Sequence, residues 1–414
     1  MQPGSRFLPM RRLNTPRGAI SAMFLINGIV WGTWIARIPT IAAHLDVSRG
    51  ELGAVLPAFS IGALVSLPFA GWLTGKIGSA NVFRWFGVAR TAAFPMLAFA
   101  SAIPVFAVIL FCFGFSHGSL DVAANAQGVE IERRRRSPIL SSVHGFFSLG
   151  GLLGAASAGV VAGLGVSLQL QFLSLGIVAI LLYLVASRQL VPDTAVPLAT
   201  AVPATGRRFR ISLPPRSLWP LGAIAFVVAL GDESIGDWGG LLLTQELGAS
   251  AATAAMVYTV YSLTMLVGRM TGDRLVRRFG PVLVIAAGGA ISAAGLVAGQ
   301  LIFTVPSVLV GIAMVGFGLS SILPITYRAA ATTPGVPGGK GVALVATIGY
   351  AGFLCGPPVI GRVSDVSSLQ VALLLIGIVM LALVFLSRTV GRPEPSPDLR
   401  DGTLEPVPAA QSMA

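Results

Sequence analysis

The chain has 414 residues, 54% of them apolar and only 11% charged, and its mean hydropathy is +0.83. Soluble domains carry about 25% charge, so an ordinary water-soluble protein and a disordered chain are both excluded. The two cysteines, Cys112 and Cys355, lie inside apolar runs and read as packing residues rather than a disulfide, and the formal charge of +12 becomes a question of where the positive residues sit.

Residues 1–17 are basic, with Arg6, Arg11, Arg12 and Arg17. The apolar stretch that follows is as long as a full span and has no small-residue cleavage site, so it reads as a retained helix and not a signal peptide. Twelve apolar segments then follow in order: 18–36, 51–73, 82–101, 103–127, 141–163, 169–187, 219–240, 251–270, 281–300, 305–327, 341–361 and 369–387. Each is about the 20 residues that cross a hydrocarbon core of about 30 Å. The expected fold is an all-α membrane protein with twelve transmembrane helices, six in 18–187 and six in 219–387. The Pro-, Ala-, Thr- and Arg-rich stretch 188–218 reads as a linker, and 388–414 as a polar, disordered tail. With the N-terminus inside, the inner segments hold nearly all of the 28 basic residues, including the run Arg133–Arg136, while the outer connections hold Arg37, Arg49 and Arg362. The positive-inside rule therefore predicts that both termini are cytoplasmic, in a bacterial inner membrane. The arginine run reads as a topogenic cluster that also meets anionic lipid, and nucleic acid is not an expected partner.

The halves echo one another about 200 residues apart. Gly71-Trp-Leu-Thr-Gly75-Lys76-Ile-Gly78 closes the second span, and Arg269-Met-Thr-Gly-Asp273-Arg274 leads to Gly280 after the eighth. Gly114-Phe115 is echoed by Gly316-Phe317, and His144-Gly145-Phe146 by Ile348-Gly349-Tyr350. An internal repeat of this kind points to a transporter.

On these motifs the sequence resembles the major facilitator superfamily, whose signature is a Gly-x-x-x-Asp-Arg/Lys-x-Gly loop after the second helix, repeated after the eighth. In the first copy Gly75 stands at the acidic position, with Lys76 and Gly78 kept; in the second, Asp273 and Arg274 match. The resemblance implies two pseudo-symmetric six-helix bundles rocking about a central site, with Gly71, Lys76, Gly78, Arg269, Asp273 and Arg274 in the gate loops. Asp121-Val-Ala-Ala-Asn125, His144-Gly-Phe-Phe-Ser-Leu-Gly150, Glu233-Ser-Ile-Gly-Asp237-Trp238 and Gly352-Phe-Leu-Cys-Gly356 are similar to the bacterial group that includes the rhizopine-cluster protein MosC, and more distantly to fucose-permease-type sugar:proton symporters.

Ionisable side chains in a span cost at least about 2.5–3.5 kcal/mol at a helix centre, so each is a candidate site residue. Asp121 and Asn125 are four apart and share a face; the fifth span begins at the depth where the fourth ends, which brings His144 level with them. The seventh span carries Asp232, Glu233, Asp237 and Trp238, and the first Asn27, Trp31, Trp34 and Arg37. Asn27, Trp31, Asp121, Asn125, His144, Glu233, Asp237 and Trp238 form the expected substrate or proton site, the tryptophans being either stacking platforms or interface anchors. Arg37 is expected to latch the outer gate on Glu233 or Asp237. Small residues four apart in the fifth and eleventh spans read as close helix packing.

There is no zinc-ligand spacing, no P-loop and no nucleophile elbow. An enzyme and a bound cofactor are therefore not expected, no obligatory protein partner is inferred, and an ion gradient must drive any uphill transport. The expected function is a proton-coupled transporter of a small polar solute: a sugar, polyol or amino-polyol. An exporter of lipophilic compounds and a transport-inactive sensor are the alternatives.

Overall fold

The computed structural model describes residues 15–136, 139–193, 215–334, 336 and 338–391, and all its regular elements are helical. The first arginines, residues 194–214 of the expected linker and the tail from 392 lie outside the described residues.

Helix α1 (Pro16–Leu45) starts where Thr15 Oγ accepts from the Gly18 N–H at 3.1 Å and Pro16 fills a first-turn position that needs no donor. It continues nine residues past the boundary expected at 36, because Arg37 is satisfied inside the protein and does not mark an aqueous end. The second crossing is α2 (Arg49–Val55) and α3 (Pro57–Ile77), interrupted at Leu56, where the following proline cannot supply the next helical donor. Four helices complete the first bundle: α4 (Ser79–Met96), α5 (Ile103–Arg135), α6 (Leu140–Gly163) and α7 (Leu168–Ser187).

The second bundle opens with α8 (Trp219–Glu233), a π-helical turn (Ser234–Trp238) and α9 (Gly239–Gln245), which together make one crossing. Then come α10 (Ala251–Phe279), α11 (Pro281–Ile302), α12 (Val305–Leu319) with α13 (Ile322–Ala331), α14 (Gly338–Val366), and α15 (Leu369–Met380) with α16 (Ala382–Leu386). Among the described residues, eleven of these stretches are long and apolar enough to cross a membrane. The twelfth crossing is α4, whose 18 residues include Arg84 and Arg90.

The sequence repeat reappears as a packing repeat. In the first bundle α1 crosses α6 so closely that a Cβ on Gly28 would sit 2.1 Å from Phe147 O, and one on Gly154 would sit 2.2 Å from Ile29 O. In the second, α8 crosses α14 in the same way, and a Cβ on Gly352 would sit 2.5 Å from Phe226 O. Backbones approach this closely only where side chains are absent. The gate loops turn at Gly78 (φ 84°) and Gly280 (φ 79°), left-handed conformations that favour glycine, each at the end of the equivalent helix. Exposed Val108, Leu181, Val310 and Phe385 belong to the apolar exterior that a bilayer would cover.

Candidate substrate and gating site

The first bundle's wall of the central space is a hydrogen-bonded chain. Asn125 Nδ2 donates to Asp121 Oδ1 at 3.3 Å and to its carbonyl at 2.9 Å, and His144 Nε2 lies 3.2 Å from Asn125 Oδ1, an acceptor. Asp121 and His144 are exposed, so the residues expected at one depth line one surface. Trp31 lies beyond them, stacked on His117 with centroids 5.6 Å apart and beside Phe59 at 5.1 Å. Its Nε1 donates to Tyr258 Oη at 3.0 Å and so reaches the second bundle.

The facing wall is built from α8, α10 and α14. Tyr261 donates its hydroxyl proton to Asp232 Oδ1, and Glu233 is half-buried beside it. Asp237 is 4% exposed inside the π turn, with no partner on Oδ2. That turn begins where the Ser234 hydroxyl donates back to Leu230 O, and an extra residue in a helical turn is a frequent mark of a functional position. Arg269 Nη1 donates to Ser148 Oγ of α6 at 3.1 Å, a second link between the bundles. Tyr350 lies within electrostatic reach of Asp121.

Sequence reasoning missed the tyrosines, although a signal was present. The chain has five, and Tyr258, Tyr261, Tyr327 and Tyr350 all fall on three crossings of the second half. In an apolar chain that clustering marks a polar wall.

Three expected residues are placed differently. Asn27 is 6% exposed and its Oδ1 accepts from Nη1 of Arg90, which is itself 1% exposed with its guanidinium 4.7 Å over the Phe113 ring. Asn27 therefore holds a buried cation within the bundle rather than lining the central space. Trp238 is fully buried in the core of the second bundle and is neither a stacking platform nor an interface anchor. Arg37 is 3% exposed and donates to Gln171 Oε1 at 2.7 Å and Val166 O at 3.1 Å, so it ties α1 to α7 and does not pair with Glu233 or Asp237.

The ion pair that joins the bundles at this end is made instead by Arg49, at the start of α2. Arg49 Nη1 meets Glu246 Oε1 at 2.7 Å and Arg49 Nε meets Gln245 Oε1 at 2.9 Å, while the Gly50 N–H donates to Asp365 Oδ1 at 3.0 Å. Glu246 also accepts from the Leu369 and Gln370 N–H groups at 2.6 and 3.1 Å, capping α15. Here α2 packs on α14, and a Cβ on Gly53 would sit 2.5 Å from Pro357 O.

At the opposite end the two glycine loops make no ion pair with each other among the described residues. A Cβ on Gly71 or Gly75 would meet nothing within 4 Å, and Lys76 Nζ lies 4.3 Å over the Trp72 ring. Asp273 and Arg274 are exposed, and neither makes an ion pair among the described residues. A carboxylate from elsewhere in the first bundle ties down the start of α4: Asp193, beyond α7, accepts from the Ser79 N–H at 2.5 Å through Oδ2 and from the Ser79 hydroxyl through Oδ1. Gln127 Nε2 joins the same cluster, donating to Ser79 Oγ at 2.7 Å and Val191 O at 2.8 Å. The molecule is thus latched at the Arg49 end, and its loop end carries no such bridge among the described residues.

The profile of the Major Facilitator Superfamily matches residues 20–231 and again 221–412, one copy for each half. The chain belongs to the Major Facilitator Superfamily. Among its relatives in that superfamily, an uncharacterized transporter of Sinorhizobium fredii is 32% identical over 370 residues, covering 89% of this chain and 96% of that protein. The membrane protein MosC of Rhizobium meliloti is 29% identical over 402 residues, 94% of this chain and 96% of MosC. A mutant of the nucleoside transporter NupG superposes with a TM-score of 0.73 at 12% identity, over 91% of this chain and all of that one, which is a likeness of fold. The chain is a multi-pass membrane protein with the transporter fold of its superfamily.

Proposed function

We propose that this superfamily member is a proton-coupled, alternating-access transporter of a small polar solute, a sugar, polyol or amino-polyol, in a bacterial inner membrane with both termini cytoplasmic. The observation that carries the reading is the pair of facing polar walls: Asp121, Asn125 and His144 on one bundle, Asp232, Tyr258, Tyr261 and Glu233 on the other. Hydroxyl-rich solutes need alternating donors and acceptors, and the rings of Trp31 and Tyr258 give a flat face for a sugar's C–H surface. The charge bias of the loops supports the orientation, in which the latched Arg49 end is periplasmic and the solute site opens to the cytoplasm.

In the cycle, breaking the Arg49–Glu246 latch separates α2 from α14, while the loops after α3 and α10 close on each other. Asp121, Glu233 and Asp237 are the candidate proton carriers, because carboxylates on spanning helices without a cationic partner are characteristic of proton relays. None of the three pairs with a cation among the described residues.

A thermal-shift screen of the purified protein in detergent, against sugars, polyols, amino-polyols and lipophilic cations, tests the reading. A ligand at a hundredfold over its Kd adds about 2.7 kcal/mol. Stabilisation by a polar solute, lost in Asp121→Asn or Glu233→Gln, is expected; stabilisation by lipophilic cations alone would favour the exporter.

A further inference from the structure

Arg269 is a cationic residue facing the other bundle whose one hydrogen bond across to it, to Ser148, uses only part of its guanidinium. It sits on spanning helix α10, 18 residues from that helix's first residue, and its side chain is exposed. Its Nη1 donates to Ser148 Oγ, and among the described residues no carboxylate lies within ion-pair distance of it. The nearby acids are already engaged, Asp232 by the Tyr261 hydroxyl and Asp121 by the Asn125 amide. With Nη1 on Ser148, the Nε and Nη2 donors of this exposed guanidinium have no hydrogen-bond partner among the described residues. Nor does the fold require a long side chain here: aligned on Gly75-Lys76 and Asp273-Arg274, the first repeat has Gly71 at this place, in open space.

A guanidinium edge matches a planar carboxylate, which accepts both donors at once. The same space holds Asp121, Asp232 and Glu233, and His144, Tyr258 and Tyr261 stand within electrostatic reach of Arg269. One cation among several acids can hold a monoanion, whereas a doubly charged phosphate ester would be repelled by the surrounding carboxylates. Given the transporter reading on which this rests, we infer that the solute carries a carboxylate anchored by Arg269, with its hydroxyl groups directed to the Asp121–Asn125–His144 chain: the ligand is a hydroxylated carboxylic acid rather than a neutral sugar.

The test compares matched pairs, glucuronate with glucose, galacturonate with galactose and gluconate with sorbitol, by thermal shift and calorimetric titration of the full-length protein in detergent. The expected result is tenfold or tighter binding of the acid in at least one pair, with Arg269→Gln removing that preference and Arg269→Lys retaining part of it. Arg277→Gln, at the exposed end of α10, controls for a general loss of positive charge. Selectivity within a pair does not depend on how stable a variant is, and the wild-type comparison stands even where a variant folds poorly. Absence of acid preference in every pair, or a preference unchanged in Arg269→Gln, overturns the inference. Equal or tighter binding of the neutral member does so while leaving the transporter reading in place, whereas binding of lipophilic cations alone overturns both.

Discussion

Trp31 Nε1 donates a 3.0 Å hydrogen bond to Tyr258 Oη, joining α1 of the first bundle to α10 of the second beside the polar walls. A net neutral hydrogen bond contributes about 0.5–1.5 kcal/mol, and this one exists only while the two helices are close. Trp31→Phe and Tyr258→Phe are each expected to shift the conformational equilibrium away from the latched state by about three- to tenfold, and the double substitution no further than either single one. Distance distributions between spin labels on α2 and α14 report this directly; additive shifts would show that the two side chains act separately.

The Arg49–Glu246 pair is partly exposed, at 24% and 12% of the two side chains, and such rim pairs contribute about 0–1 kcal/mol. Glu246 does more, since it also caps the first N–H groups of α15. That cap lies within the second bundle and is present whether the outer end is open or closed, so Glu246→Ala is expected to lower overall stability by about 1 kcal/mol, while Arg49→Ala, which also loses the bond to Gln245, is expected to open the outer end more. Thiol accessibility of a cysteine placed at Leu52, on α2 and 2% exposed in the latched state, in a background lacking Cys112 and Cys355, measures the opening. Equal effects of the two substitutions would assign the latch to the ion pair alone.

Asp193 reaches the start of α4 from beyond α7. Asp193→Ala is expected to lower the stability of the purified protein by about 0.5–2 kcal/mol, the range for losing an N-terminal helix cap, with Asp193→Asn close to wild type. Melting curves in detergent decide it, and an unchanged midpoint in Asp193→Ala would show that the Asp193–Ser79 contact does not stabilise the start of α4.

The glycines divide into two kinds. Gly154→Ala places a methyl where Ile29 O lies 2.2 Å away, an overpacking that costs about 1–3 kcal/mol and is expected to lower both yield and melting temperature. Gly71→Ala meets nothing within 4 Å, and in a helix it is expected to stabilise by about 0.5–1 kcal/mol. The same melting assay covers both, and a stable Gly154→Ala protein would contradict the close crossing of α1 and α6.

Much of this architecture was legible in the sequence because a bilayer imposes length and apolarity on every crossing, and because two copies of one pattern fix each other's reading. The Asp121–Asn125–His144 chain was legible for a local reason: two residues one turn apart, and a third at the start of the next helix at the same depth. Contacts that depend on how the bundles meet were not. Trp31 and Tyr258 are 227 positions apart, and nothing in either helix's own pattern selects the other as its partner. Arg37 misled because an arginine at the edge of an apolar run reads as an aqueous end, whereas Gln171 and the Val166 carbonyl satisfy it inside the first bundle. Asn27 misled for the related reason that its partner, Arg90, is a buried cation on a neighbouring helix. Asp193 was invisible because its partner, Ser79, lies 114 positions away.

The central claim, that solute movement is tied to protons through the carboxylates of the central space, is tested most directly in proteoliposomes that report internal pH. Addition of a solute identified by thermal shift is expected to move protons together with that solute in the wild-type protein. In Asp237→Asn, which alters a candidate proton carrier outside the solute-binding walls, the proton movement is expected to disappear, while exchange of labelled for unlabelled solute persists. Solute accumulation that continues undiminished with the proton gradient collapsed would contradict the account.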